Sequence, residues 1–272
     1  MTDSTDPHVD GYLEVPLDRR PTPVIVVHPD AQAVAEATAA RLLLALIDTL
    51  AQRDVAHVAL TGGSLGSAAL ACAADSALCG LVDWSRVHLW WGDERYLPAG
   101  HTDRNDTQNG AALLDRLIVD GLLPPENVHR VAGPDTSGDV EASAAAYGQQ
   151  IRADGSGAWD VVLLGMGPDG HVASLFPHHP AARTTDAVAV AVHGSPKPPP
   201  ERVSLTFECL RRARRVWLLV SGPEKAAAVA RALAPGADSW DVPATGVRGV
   251  EHTLWLLDLS AAADLPATAP TE

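Results

Sequence analysis

The chain reads as an α/β protein, a single domain built on a mainly parallel sheet with helices on both faces. Three observations predict it. Short apolar runs of strand character alternate with longer stretches of helical periodicity, and that repeated order yields parallel strands whose crossover helices cover the sheet. The 272 residues, 46% of them hydrophobic, suffice for a well-buried core. No internal repeat is present, and the proline-rich stretch 196–200 is too short to separate two domains.

In chain order, a polar, proline-containing tail at 1–22 leads to a strand-like run at 24–27, a helical pattern near 30–53 and a second run at 57–61. An Ala-rich helix near 65–79 follows, then the largely apolar run 87–91. Helical patterns near 106–120 and 139–154 precede the run 159–165, which reads as a buried strand. Runs at 187–192 and 216–221 come next, the latter entering a helix near 223–234. The run 253–258 then closes the series before a polar tail at 261–272. The domain is thus expected over 23–260. Trp90, Trp91, Trp217 and Trp255 fall on these runs, where packing accounts for them.

Composition excludes several function classes. Twenty Lys plus Arg against 34 Asp plus Glu give a net charge of −14, which argues against a nucleic-acid or acidic-membrane partner. An anionic ligand must then meet a local cationic pocket, and Lys197 and Lys225 are the only lysines. Cys72, Cys79 and Cys209 show no C-x-x-C spacing, so neither a disulfide framework nor a zinc site is expected, in keeping with a reducing cytoplasm. The acidic residues 1–10 do not read as a signal peptide, and no apolar stretch reaches the roughly 18 residues of a membrane span.

In sheets of this kind ligands bind outside the carboxyl ends of the strands, and four loops there carry unusual residues. The first, Thr61-Gly62-Gly63-Ser64-Leu65-Gly66, opens a helix whose N–H groups could cradle a phosphate. It lacks the Gly-Lys-Ser/Thr ending of a nucleotide-binding loop, and the plainer alternative is a tight turn with Ser64 as helix cap. The second, Gly92-Asp93-Glu94-Arg95, sets three charges directly after an apolar run. Arg95 suits a phosphate or carboxylate, with Asp93 or Glu94 orienting it or meeting sugar hydroxyls, unless the cluster is a structural ion pair.

The third loop, Gly165-Met166-Gly167-Pro168-Asp169-Gly170-His171, brings a histidine out of a glycine-rich turn. Its N–H groups, that of Gly167 included, could stabilise an oxyanion beside the imidazole. The formal match to a dinucleotide fingerprint is set aside, because Pro177 and Pro180 end any helix within about two turns. In the fourth, Ser221-Gly222-Pro223-Glu224-Lys225, a lysine sits in the first turn of a helix, against the helix dipole, which is easier to understand if it answers a bound anion. A lysine snorkelling into solvent is the plainer reading. His178 and His179 lack a partner carboxylate at a metal-ligand spacing, and Ser174 lacks a nucleophile elbow. The basic cluster Arg211, Arg212, Arg214 and Arg215 precedes a strand and reads as a solvated helix end.

Together these loops resemble the 6-phosphogluconolactonase family, related to glucosamine-6-phosphate deaminases within a modified Rossmann-like α/β superfamily. The likeness spans roughly residues 24–258 and is carried most specifically by the stretches 165–177, 92–95 and 197–206. It implies hydrolysis of 6-phosphogluconolactone in the oxidative pentose phosphate pathway. By it, His171 is the general base and Asp169 orients its imidazole. The phosphate falls to Gly62, Gly63, Ser64, Arg95 and Lys225. Asn105 matches a position the family writes as Ser-Asn, but Arg104 precedes it here. A phosphorylated sugar lactone as partner, no cofactor, no metal and a cytoplasmic monomer are the matching expectations. The rivals are a deaminase/isomerase, whose histidine is followed by Ile-Ala-Phe-Asn-Glu-Pro rather than Val172-Ala173-Ser174-Leu175-Phe176-Pro177, and a non-catalytic sugar-phosphate sensor.

Overall fold

The computed structural model describes residues 15–155 and 158–266. In chain order it runs β1 (Val24–His28), α1 (Ala31–Leu50), β2 (Ala56–Leu60), α2 (Gly63–Asp75), β3 (Val87–Trp91), β4 (Asp93–Arg95), α3 (Asn105–Asn109), α4 (Asp115–Val119) and α5 (Val140–Asp154). Then follow β5 (Val161–Gly165), β6 (Ala189–Val192), β7 (Arg202–Leu205), α6 (Phe207–Leu210), β8 (Arg215–Val220), α7 (Ala226–Leu233) and β9 (His252–Asp258). A π-helical turn, Gly110–Leu114, joins α3 to α4. Asp30 and Asp139 cap α1 and α5 by accepting the N–H groups of Ala33 and Ala142.

Six strands form one parallel sheet in the order β1-β9-β8-β5-β2-β3. Its side chains alternate between two cores because successive residues of a strand point to opposite faces. Val58, Leu60, Leu163, Leu219 and Leu256 join a core with α1 and α2, whereas Ala59, Val162, Leu164, Leu218 and Leu257 join another with α5 and α7. Helices thus cover both faces, as the strand-helix order predicts.

The run expected at 187–192 lies elsewhere. As β6 it pairs with β7, and β7 with β4, in a separate antiparallel sheet of order β4-β7-β6. Neither β4 nor β7 is anticipated from sequence. β4 consists of Asp93, Glu94 and Arg95, which carry no apolar alternation, and it becomes a strand only through pairing with Ser204, Val203 and Arg202.

Parts of both expected tails pack on the body. Arg20 is buried, its guanidinium donating to the carbonyls of Val15, Arg211 and Arg248. Ala261 is buried, and its N–H reaches Asp258. The remainder of those tails, 1–14 and 267–272, lies outside the described residues. No helix among the described residues is long and apolar enough to cross a membrane. Between β2 and β3, His57 stacks on His88 at 4.8 Å and His129 stacks on Trp90 at 3.7 Å, with His57, Trp90 and His129 buried and His88 partly so.

Candidate active site

The strand order sets the position of the site. From β2 the chain passes outward to β3, and from β5 it passes to the other side, to β8, so the two carboxyl ends diverge. Such a switch point opens a crevice. The β2–β5 ladder holds only Val58 opposite Val161 and Ala59 opposite Val162, and beyond it the Thr61 hydroxyl accepts the Gly165 N–H at 3.1 Å. A cleft of about 300 Å³ lies there.

At one wall His171 Nδ1 stands 2.6 Å from Asp169 Oδ1, which also accepts the His171 backbone N–H at 3.3 Å. Burial pushes the Asp169 carboxyl up. The hydrogen bond and charge of His171, its N–H and the charge of Lys197 outweigh burial and hold it at about 2. The turn is closed by two bonds, from Gly167 N–H to the His171 carbonyl at 3.0 Å and from Gly170 N–H to the Gly167 carbonyl at 2.9 Å. The N–H expected to serve an oxyanion at Gly167 is therefore spent within the turn. What this position demands is the absence of a side chain, since a Cβ would lie 2.2 Å from the imidazole.

The opposite wall is the start of α2. Its N-cap is Gly62 and no side chain caps it, so Ser64 does not play the capping role that the plainer reading gave it. Gly62, Gly63, Ser64 and Leu65 line the cleft, and the first N–H groups of α2 have no acceptor within the helix. Asn105 closes over Gly62 so tightly that a Cβ there would meet its Oδ1 at 1.7 Å.

Four cations line the same cleft, namely Arg95, Lys197, Arg202 and Lys225. Burial lowers Lys225 from its ordinary value, and the charge of Lys197 lowers it further. Arg202 is lowered by burial and by Arg95, although Asp93 pulls the other way. Positive groups held close enough to repel are poised for an anion that relieves the repulsion.

The acidic strand divides the remaining work. Asp93 lines the cleft, and its carbonyl accepts from Asn105 Nδ2 at 2.8 Å. Glu94 is buried behind it and accepts the N–H groups of Arg95, Asn105 and Asp106. Burial and then the Asp106 carboxylate push Glu94 up to about 7. Arg104 is buried too. It grips both Asp106 oxygens at 2.9 and 2.8 Å and the carbonyls of Leu97 and Val131, so it anchors the loop from behind and does not line the cleft.

The family model described as glucosamine-6-phosphate isomerases/6-phosphogluconolactonase matches residues 29–255. The chain belongs to this family. It is 50% identical to a 6-phosphogluconolactonase of Streptomyces coelicolor, covering 90% of this chain and 95% of the relative. A 6-phosphogluconolactonase of Mycobacterium tuberculosis is 46% identical, with coverage of 89% and 98%. The solved 6-phosphogluconolactonase of Trypanosoma brucei superposes with a TM-score of 0.77 at 30% identity, covering 90% of this chain and 99% of that one.

In this member of the glucosamine-6-phosphate isomerase/6-phosphogluconolactonase family, Gly62, Gly63, Ser64, Asp93, Arg95, Asn105, Gly167, His171 and Lys225 all line one cleft, and Asp169 stands behind His171. Sequence reasoning missed Arg202 and left Lys197 without a role. The signal was present in the stretch 197–206, where Arg202 Nη2 donates to the carbonyls of Lys197 and Pro198 and so ties down the loop that carries Lys197. His178 and His179 point apart, the first toward Asp241 at 3.5 Å and the second toward the His193 carbonyl at 2.8 Å. Among the described residues no three His, Cys, Asp or Glu side chains converge on a metal position.

Proposed function

We propose that this chain is a 6-phosphogluconolactonase, hydrolysing 6-phospho-D-glucono-1,5-lactone to 6-phosphogluconate in the oxidative pentose phosphate pathway with His171 as general base. The observation that carries this reading is the sharing of one cleft by the His171–Asp169 pair and four cations.

The phosphate sits at the α2 N-terminus among Gly62, Gly63, Ser64, Arg95 and Lys225, where N–H dipoles and fixed positive charge favour a dianion. Anchoring it presents C1 to His171. Asp169 accepts a hydrogen bond from Nδ1–H, which leaves Nε2 as the basic nitrogen. Nε2 takes a proton from water as the water oxygen attacks C1. The tetrahedral oxyanion collapses with cleavage of the C1–O5 bond, and the imidazolium returns its proton to O5. A strained ester of this kind needs positioning and one base, worth about 10²- to 10⁴-fold. In this reading the chain works as a cytoplasmic monomer on a free small molecule, without nucleic acid, membrane or cofactor.

The test is a coupled assay. Glucose-6-phosphate dehydrogenase generates the lactone, and its disappearance is followed with the parent and with His171→Ala. Acceleration over buffer by the parent alone supports the reading. Binding without acceleration would make the chain a sensor, and ammonia release from glucosamine 6-phosphate would make it a deaminase.

A further inference from the structure

Ser174 lies three residues beyond the general base and is fully buried, so it never meets the substrate. Yet its hydroxyl and its backbone N–H are both committed across the fold. Its hydroxyl donates to Asp93 Oδ2 at 2.7 Å, and its backbone N–H donates to the Ser204 hydroxyl at 3.2 Å. Asp93 and Ser204 are directly opposed partners on β4 and β7. One serine therefore stitches the His171 segment onto a facing pair of the antiparallel sheet.

Two further observations give the stitch a purpose. Ala173, immediately before it, lines the cleft with φ at +51°, a left-handed backbone that a residue with a Cβ adopts only when its surroundings impose it. The same sheet governs the opposite rim, because Arg202 on β7 holds the carbonyls of Lys197, Pro198 and Pro199 and stands 3.9 Å from Asp93 Oδ2. Base and loop cation are thus referred to one rigid element.

We propose that Ser174 is a positioning residue for the reaction: by binding Asp93 and Ser204 it holds the strained turn of Ala173, and with it His171, in register with the cationic rim. The proposal rests on the reading of His171 as base. It gives the small antiparallel sheet a role as the gauge between base and anchor, since a displacement of about 1 Å in a reacting group lowers turnover by up to about 10²-fold. Of the phosphate contacts, Gly62, Gly63 and Ser64 at the start of α2 and Lys225 just before α7 lie outside the stitched sheet, and only Arg95 shares β4 with Asp93, so the loss should fall on turnover more than on affinity.

The experiment compares Ser174→Ala and His171→Gln with the parent in the coupled lactone assay, with folding checked by near-UV circular dichroism. Ser174→Ala is expected to lose roughly 10- to 100-fold in kcat with a smaller change in KM. Retention of kcat within twofold, or a loss confined to KM, would overturn the proposal. Should Ser174→Ala not fold, Ser204→Ala removes the other half of the stitch and is held to the same criteria. His171→Gln separates the two ideas. If it keeps the parent rate, the general-base reading fails, whereas a dead His171→Gln beside a fully active Ser174→Ala sinks only the positioning role.

Discussion

Asp169 Oδ1 lies 2.6 Å from His171 Nδ1, two residues along the same turn, and this pair engages one ring nitrogen of a histidine that lines the cleft. Removing the imidazole should remove the chemistry. We expect His171→Ala to lower kcat at least about 10²-fold. The parent rate should be unchanged by EDTA, because proton transfer by a side chain suffices for lactone opening. Progress curves with and without chelator check both statements.

Asp169→Asn should cost about 10²-fold or more in kcat by allowing the wrong tautomer, with folding intact. The substitution also carries a pH signature. The carboxyl is held at about 2 against an ordinary 3.8. A depressed acid contributes stability above its unfolded value and loses it as pH falls from about 4 toward 2. With about a third of the side chain exposed, screening reduces that contribution to roughly 1 kcal/mol. Urea unfolding of parent and variant should therefore differ at pH 7 and converge near pH 2.

Gly167→Ala tests close approach. The new Cβ would fall 2.2 Å from the His171 ring and 2.5 Å from Asp169 Oδ1, so the pair must separate. A loss of at least about 10²-fold in kcat is expected, with a smaller effect on KM. An alanine variant that turns over normally would show that the pair tolerates displacement.

Arg95→Ala and Lys225→Ala act on the anchor. A hydrogen bond to a charged group contributes about 1.5–3 kcal/mol, so each variant should raise KM about 10- to 100-fold. Inhibition by inorganic phosphate should weaken in parallel. The variant with the larger shift identifies the cation in direct contact.

The buried histidine stack predicts acid sensitivity unrelated to catalysis. Burial, then His88, His129 and Arg53, lower His57 to about 4. Burial and His88 do the same to His129, against the pull of Asp154. The unfolded chain binds these protons first, so stability falls as pH drops from about 6.5 to about 4. Chemical denaturation at pH 7 and pH 4.5 should differ by a few kcal/mol, and His129→Gln should reduce that difference.

The sequence by itself determined whatever depends on neighbours along the chain. Short apolar runs marked the strands of the parallel sheet, helical periodicity marked its helices, and the strand-helix order placed the cleft-lining loops at the carboxyl ends. His171 was legible from its glycine-rich turn, whereas the role of Asp169 was implied by the family resemblance, and the structure places the two side chains in contact.

Tertiary structure decided whatever depends on pairing between distant segments. β4 is three charged residues with no strand signal until β7 lies beside it. Arg202 acquires its place from the loop it holds, and Arg104 turns inward because Asp106 and the Val131 carbonyl satisfy its guanidinium. The Gly167 N–H looked free in a glycine-rich turn, but the fold commits it to the His171 carbonyl. Ser174 finds Asp93 across 81 residues. Local propensities encode an element, but a hydrogen bond between remote groups exists only once burial has brought them together and excluded water from both.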